Sequence, residues 1–319
     1  MIKNLLSIII PDRNGQPYLQ KTIDDIIFNA EGEIEIIVVC DGVWPDPALK
    51  NDPRVIVIHH GTVHENLGMR TGINRGIAIS HGEYIMKLDE HCQMDKGFDT
   101  KLKADCKDNW IVIPRRFRLQ ADEWKLTTEL GDTRPPIDYM QIDYPYQRAF
   151  DKTCGLHGAE WKERFYSRTK YEIDDTPTMQ GSCWFLKRAY FDKLFPEGLD
   201  STYYGEFTQE AQELSFMAWF TGGRVVVNKR TWYAHTHKGK RGKGYGFSNE
   251  QYARHMEGTE KGRIYCIEYW MHTKEFLHDF KWFVNEKFPD MVGWEKWETR
   301  IEKDKLTDFS RVRQEKGEI

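Results

Sequence analysis

Short, continuously apolar runs alternate with amphipathic ones through the first third of the chain. Residues 7–11 have the length and composition of a buried strand, and 33–40, 54–59, 83–88 and 110–114 repeat the pattern. Residues 18–29 carry Leu19, Ile23, Ile26 and Ile27 at helical spacing. Residues 67–80 do the same, with Gly72 and Gly76 on one side, where a helix can lie close against a sheet, and 98–105 form a third helix. Strands alternating with helices predict an α/β fold whose sheet is parallel or mostly parallel and flanked by helices. Residues 115–175, rich in Asp, Pro, Tyr and Arg, predict loops and short elements over that sheet. Order resumes with a strand-like run at 178–187, helices at 188–194 and 209–221, and a strand at 224–228. From Asn249 the chain is helical in pattern and rich in Tyr, Trp and Phe. The division expected is 1–245 for the α/β domain and 246–319 for a helical, aromatic-rich C-terminal extension.

The 319 residues, 39% hydrophobic and 30% charged, suit a soluble globular protein with one large domain and an appendage. A formal net charge of −4 excludes a globally basic nucleic-acid binder and leaves a local basic groove open. No apolar run approaches the roughly 20 residues that span a bilayer. The apolar residues 5–10 are too few for a signal-peptide core and no small-residue cleavage site follows them, so a cytoplasmic location without a membrane partner is expected. The six cysteines are scattered without a C-x-x-C pair, which fits reduced thiols.

The most informative segment is Lys87-Leu88-Asp89-Glu90-His91, directly after a strand-like run. On an extended backbone residues i and i+2 point to the same side, so Asp89 and His91 can reach one ion while Glu90 points away. One carboxylate and one imidazole suit a divalent cation such as Mn²⁺. In an open parallel sheet, ligands bind outside the carboxyl ends of the strands. The other turns there are Pro11-Asp12-Arg13-Asn14 and Cys40-Asp41-Gly42. Asp41 can accept a hydrogen bond from a base or ribose, or simply make a tight turn. Neither turn has the glycine pattern of a dinucleotide site or a P-loop.

Ser7-Ile8-Ile9-Ile10-Pro11 with Asn14-Gly15, then Glu35-Ile36-Ile37-Val38-Val39-Cys40-Asp41-Gly42, resembles the opening of family 2-type glycosyltransferases of the GT-A fold. Leu67-Gly68-Met69-Arg70-Thr71-Gly72, Leu88-Asp89-Glu90-His91-Cys92, Pro177-Thr178-Met179-Gln180-Gly181 and Glu210-Ala211-Gln212-Glu213-Leu214-Ser215-Phe216 are closer to the polypeptide N-acetylgalactosaminyltransferases, which carry Asp-x-His where most relatives carry Asp-x-Asp. The resemblance runs from about residue 5 to 245. It implies a GT-A fold, a UDP-sugar donor, Mn²⁺ or Mg²⁺, and an acceptor bearing a hydroxyl group. It implies Pro11, Arg13, Asn14 and Asp41 at the uridine, Arg70 near the sugar or diphosphate, and Gly181 in the segment lining the sugar. The third metal ligand implied beside Asp89 and His91 is His235, with His237 as the register alternative.

The basic, glycine-rich residues 238–244 offer Lys238, Lys240, Arg241 and Lys243 to close over a diphosphate, or form a solvated hairpin. Inverting relatives place an Asp after the Glu that opens the next helix; here the pair is Glu210-Ala211, so retention of configuration is implied. Glu210 is the expected contact with sugar or acceptor, and Glu206 and Glu213 are the rivals for a base role. The acceptor is expected to be a protein hydroxyl, a glycan, a small molecule, or a hydroxymethylated base in DNA. A DNA acceptor would place Arg115, Arg116 and Arg118 on phosphates. Two other readings are a sugar-nucleotide pyrophosphorylase, poorly matched by Asp12-Arg13-Asn14-Gly15, and a glycan- or nucleic-acid-binding protein on an inactive transferase scaffold.

Overall fold

The computed structural model describes residues 1–13, 17–62, 64–145, 155–236 and 249–303. The apolar runs of the first third become β1 (Ile2–Asp12), β2 (Ile34–Asp41), β3 (Val55–His60) and β4 (Gly82–Leu88). All pair in parallel, β1 lying between β2 and β4, and β3 outside β2. The amphipathic runs become α1 (Leu19–Asn29), α2 (Met69–Ile79) and α3 (Phe98–Asp105). Helix α2 crosses β1 and β2. Gly76 makes that possible: a Cβ there would stand 2.5 Å from Ile9 Cγ2, whereas one on Gly72 would come no nearer than 3.6 Å to Val39 Cγ1.

Past β4 the chain is more ordered than its polarity suggests. Strand β5 is Cys92–Met94, β6 runs from Trp110 to Gln120, and β7 (Lys125–Leu126) pairs with its end. The expected loop region from 115 thus begins as six more residues of β6 and a turn. Beyond it, β8 (Met140–Ile142) and β9 (Gly158–Glu160) form a separate hairpin, followed by α4 (Lys162–Ser167) and β10 (Ile173–Asp175). Only the second half of the run at 178–187 is strand, β11 (Cys183–Lys187), which leads into α5 (Arg188–Leu194). Helix α6 (Glu210–Phe220) precedes β12 (Arg224–His235), longer than expected by the seven residues that end at His235.

The sheet has ten strands in the order β10-β12-β6-β11-β4-β1-β2-β3, with β5 on β12 and β7 on β6. β6 and β12 are parallel; β11, wedged between β4 and β6, runs antiparallel to both. The α/β, mostly parallel architecture with flanking helices is the one the pattern predicts.

The C-terminal extension begins with α7 (Asn249–His272), and a last helix spans Trp297–Lys303. Its Tyr265, Cys266, Ile267, Trp270, Phe280 and Phe283 belong to the same buried cluster as Phe216 and Phe220 of α6. Trp270 lies 5.5 Å from Phe216 and 5.4 Å from Phe220, ring centre to ring centre. Large aromatic areas removed from water hold the extension to α6. No described helix is long and apolar enough to cross a membrane.

Candidate active site

A cavity of about 410 Å³ opens along the carboxyl ends of β1, β2 and β4, lined there by Pro11, Asp12, Arg13, Asp41 and Asp89. Its far side is formed by Gly181, Ser182, Gln209, Glu210 and Gln212.

Asp89, Glu90 and His91 do not continue β4, which ends at Leu88; they form the turn into β5. The extended-strand geometry expected for them is therefore replaced by a turn, which brings Glu90 to the cavity as well. Thr22 of α1 pins that turn, its hydroxyl donating to Glu90 O at 2.9 Å and accepting from Cys92 N at 3.1 Å. Strand β5 pairs with the end of β12, Cys92 opposite His235. This three-residue pairing brings His235 to the turn, with Nε2 2.9 Å from His91 Nε2 and 3.1 Å from Asp89 Oδ2. One ligand atom from each of Asp89, His91 and His235 lies within 4.8 Å of the others. His237 lies outside the described residues.

The charges support ligation. Burial works against the ionised Asp89, but Lys87, His235 and His91 outweigh it and hold the carboxyl well below the usual range. Burial pushes His235 down to about 3, against the pull of Asp89, so the ring is neutral near pH 7. A carboxylate and two imidazoles fit a divalent cation of the Mn²⁺ kind. His91 Nδ1 lies 3.3 Å from Glu90 Oε1, off the direction a hydrogen bond needs.

Two residues that the sequence did not assign to this set contact it. Lys87 is 1% exposed, and its ammonium lies 2.5 Å from both Asp89 Oδ1 and Gly181 O. The signal was present: a lysine inside a buried apolar strand is rare unless paired. Arg116 of β6 is 2% exposed and reaches His235 Nδ1 at 3.2 Å.

The other expected site residues divide. Pro11, Arg13, Asp41, Gly181 and Glu210 line the cavity. Asp41 receives Leu67 N–H at 2.8 Å and Gly68 N–H at 2.7 Å, fixing the entry to α2. Glu210 accepts from Trp184 Nε1 at 2.5 Å; burial raises its pKa, opposed by Lys87 and Trp184. A Cβ on Gly181 would stand 2.7 Å from Glu210 Oε2, so a larger residue here would displace that carboxyl. Asn14, Lys238 and Arg241 lie outside the described residues.

Arg70 and Glu213, expected at the chemistry, are away from the cavity wall. Arg70 is fully buried, paired with Glu213, donating to Thr208 O and Asp200 O, and stacked 4.3 Å from the Tyr204 ring. Every face of the guanidinium meets protein, so the pair anchors α2 to α6. Arg115, Arg116 and Arg118, expected on the phosphates of a DNA acceptor, are also engaged internally. Arg115 forms a two-pronged pair with Asp138 at 2.7 and 2.8 Å, and Arg118 donates to Pro135 O at 2.8 Å and lies 3.3 Å from Glu160.

A family model described as glycosyl transferase family 2 matches residues 7–195. Among curated proteins, the uncharacterized glycosyltransferase EpsJ of Bacillus subtilis (strain 168) is 31% identical over 116 residues, 34% of this chain and 32% of that protein. Polypeptide N-acetylgalactosaminyltransferase 13 of Homo sapiens is 24% identical over 235 residues, 69% of this chain and 33% of that protein. The chain spans about a third of the length of these curated relatives. A solved structure of GalNAc-T7 with UDP, GalNAc and Mn²⁺ aligns over 97% of this chain and 56% of its own, with a TM-score of 0.58 and 15% identity, a likeness of fold.

Proposed function

Since the chain belongs to glycosyl transferase family 2, with a GT-A-type mostly parallel sheet and a helical C-terminal region, we propose that it moves a sugar from a UDP-sugar to a hydroxyl acceptor in a metal-dependent reaction. The observation that carries this reading is the convergence of Asp89, His91 and His235 at the carboxyl edge of the sheet, where Asp89 and His235 line the cavity that Asp41 also lines. The relatives named polypeptide N-acetylgalactosaminyltransferase, and the neighbour solved with UDP, GalNAc and Mn²⁺, support the donor and the ion.

A divalent cation held by Asp89, His91 and His235 supplies positive charge for the diphosphate that departs from the sugar. Lys87 keeps Asp89 ionised and turned to its place, and through Gly181 O it ties the ligand turn to the cavity's far wall. Pro11, Arg13 and Asp41 form the uridine end. Glu210, next to Gly181, contacts the sugar or acceptor. Ala211 offers no carboxylate to deprotonate an acceptor, which supports retention.

The test is UDP release from a panel of UDP-sugars with Mn²⁺ or EDTA, for wild type and Asp89→Ala. Metal-dependent turnover of one donor, lost in the variant, is expected. A wild type that neither turns over a donor nor binds UDP with Mn²⁺ in calorimetry refutes the proposal.

A further inference from the structure

Glu206 sits in the loop before α6, against the corner where Asp41 receives the α2 entry. Gly68, at φ +91°, lies so close that a Cβ there would stand 2.5 Å from Glu206 Cβ, and Glu206 O accepts Arg70 N–H at 3.2 Å. Glu206 Oε2 accepts from Asn66 Nδ2 at 3.0 Å and lies 3.8 Å from the Arg13 guanidinium. The loop's outer side is covered by α7. A Cβ on Gly262 would stand 2.3 Å from Tyr204 O and 2.6 Å from Thr208 Cγ2, so only glycine lets the helix lie this near. Tyr204 also accepts Trp270 Nε1–H at 2.6 Å. From that position α7 sends His255 into the cavity, its Nδ1 3.9 Å from Glu206 Oε2 and its ring 5.8 Å from Phe207.

We infer that the C-terminal extension completes the nucleotide end of the cleft, with His255 as a positioning residue that fixes Glu206, and through it Arg13 and Asn66, for a nucleoside diphosphate. This rests on the UDP-sugar reading of the same cavity. Without His255, Glu206 is held on one side alone and is drawn towards Arg13, which takes that cation's charge away from a bound diphosphate. The extension is then part of donor binding and not only a cover for the sheet.

The experiment is calorimetry with UDP and Mn²⁺, and steady-state kinetics with the donor, on the whole chain as wild type, His255→Ala and His255→Asn. A partly buried polar contact of this kind corresponds to about fivefold in affinity. The expected result is a Kd for UDP and a KM for the donor about fivefold higher in His255→Ala, with kcat and the thermal midpoint held. His255→Asn, which keeps a polar group at the same reach, recovers most of the loss. Unchanged Kd and KM in His255→Ala overturn the inference, as does a loss that follows a fallen midpoint and is not recovered by Asn. A wild type that binds no UDP overturns the donor reading itself, and this inference with it.

Discussion

Arg116 meets His235 from behind: its guanidinium nitrogen lies 3.2 Å from Nδ1, while Nε2 of the same ring faces Asp89 Oδ2 at 3.1 Å. A guanidinium can only donate, so Nδ1 accepts and the neutral ring carries its hydrogen on Nε2. Ligation through Nε2 requires the opposite tautomer, which a metal-bound histidine normally secures by donating its other N–H to a carboxylate or carbonyl. Arg116 therefore competes with the ion. Arg116→Gln, whose carbonyl can accept Nδ1–H, is expected to tighten Mn²⁺ binding about tenfold in the presence of UDP. Calorimetry on a variant with wild-type circular dichroism checks this, and equal or weaker affinity sinks it.

Lys87 lies between two carboxyls, Asp89 and Glu210. Burial disfavours its charge, and those acids more than restore it, pushing its pKa up. Removing the cation leaves buried negative charge without a partner, which costs about 3–5 kcal/mol. Lys87→Met should lower stability by that order in denaturant unfolding. Adding Asp89→Asn should restore part of the loss, because the two changes act on one pair. Strictly additive losses would mean that the pair is not coupled.

Glu35 supplies a pH-dependent contribution remote from the cavity. It accepts from Ser7 Oγ at 2.5 Å and from His81 N–H at 2.6 Å. Burial raises its pKa, but Ser7 and His81 together outweigh burial and the net shift is downward. A carboxyl depressed in the folded state stabilises above its unfolded value, about 4.3, and that stabilisation is lost as pH falls through the folded value. The stability gap between wild type and Glu35→Gln should be flat from about pH 7 to 5 and close below about pH 4. A gap that is the same at about pH 3 as at about pH 7 contradicts the assignment.

The two glycines of α2 should answer differently to alanine. Alanine gains about 1 kcal/mol over glycine in a helix interior. At Gly72 the new methyl meets only ordinary contacts, so Gly72→Ala should be neutral or stabilising. At Gly76 it would stand 2.5 Å from Ile9 Cγ2 and 3.2 Å from Val39 Cγ2, and overpacking of this kind costs about 1–3 kcal/mol. Gly76→Ala should be net destabilising in thermal unfolding, and a raised midpoint would refute the close approach.

What could be read in the sequence was what short range decides. The parallel strands, their helices and the Asp89/His91 pair are written in contiguous residues, and the spacing of Gly72 and Gly76 announced the helix–sheet contact. The rest depends on partners far along the chain. The end of β6 looked like loop because Arg115 and Arg118 are charged; Asp138 and Glu160 meet those charges from later segments. The strand end at Leu88 and the turn Asp89-Glu90-His91 are legible, but Glu90 facing the cavity is not, because β5, which closes that turn, is three residues long and held by β12. Arg70 matched a motif position, and only the fold reveals Glu213, Thr208 and Tyr204 closing around it.

His235 stands at the very end of β12, the last strand among the described residues, 146 residues from Asp89. Pairs so distant form late, because loop-closure entropy opposes them until neighbouring structure exists. The early strands β1 to β4 can bring Asp89 into place, yet His235, the third ligand of the proposed site, arrives only when β12 has zipped alongside β6 and β5. Tight ion capture is therefore a marker of finished folding: during refolding, Mn²⁺ uptake should lag the appearance of strand signal and coincide with the final phase.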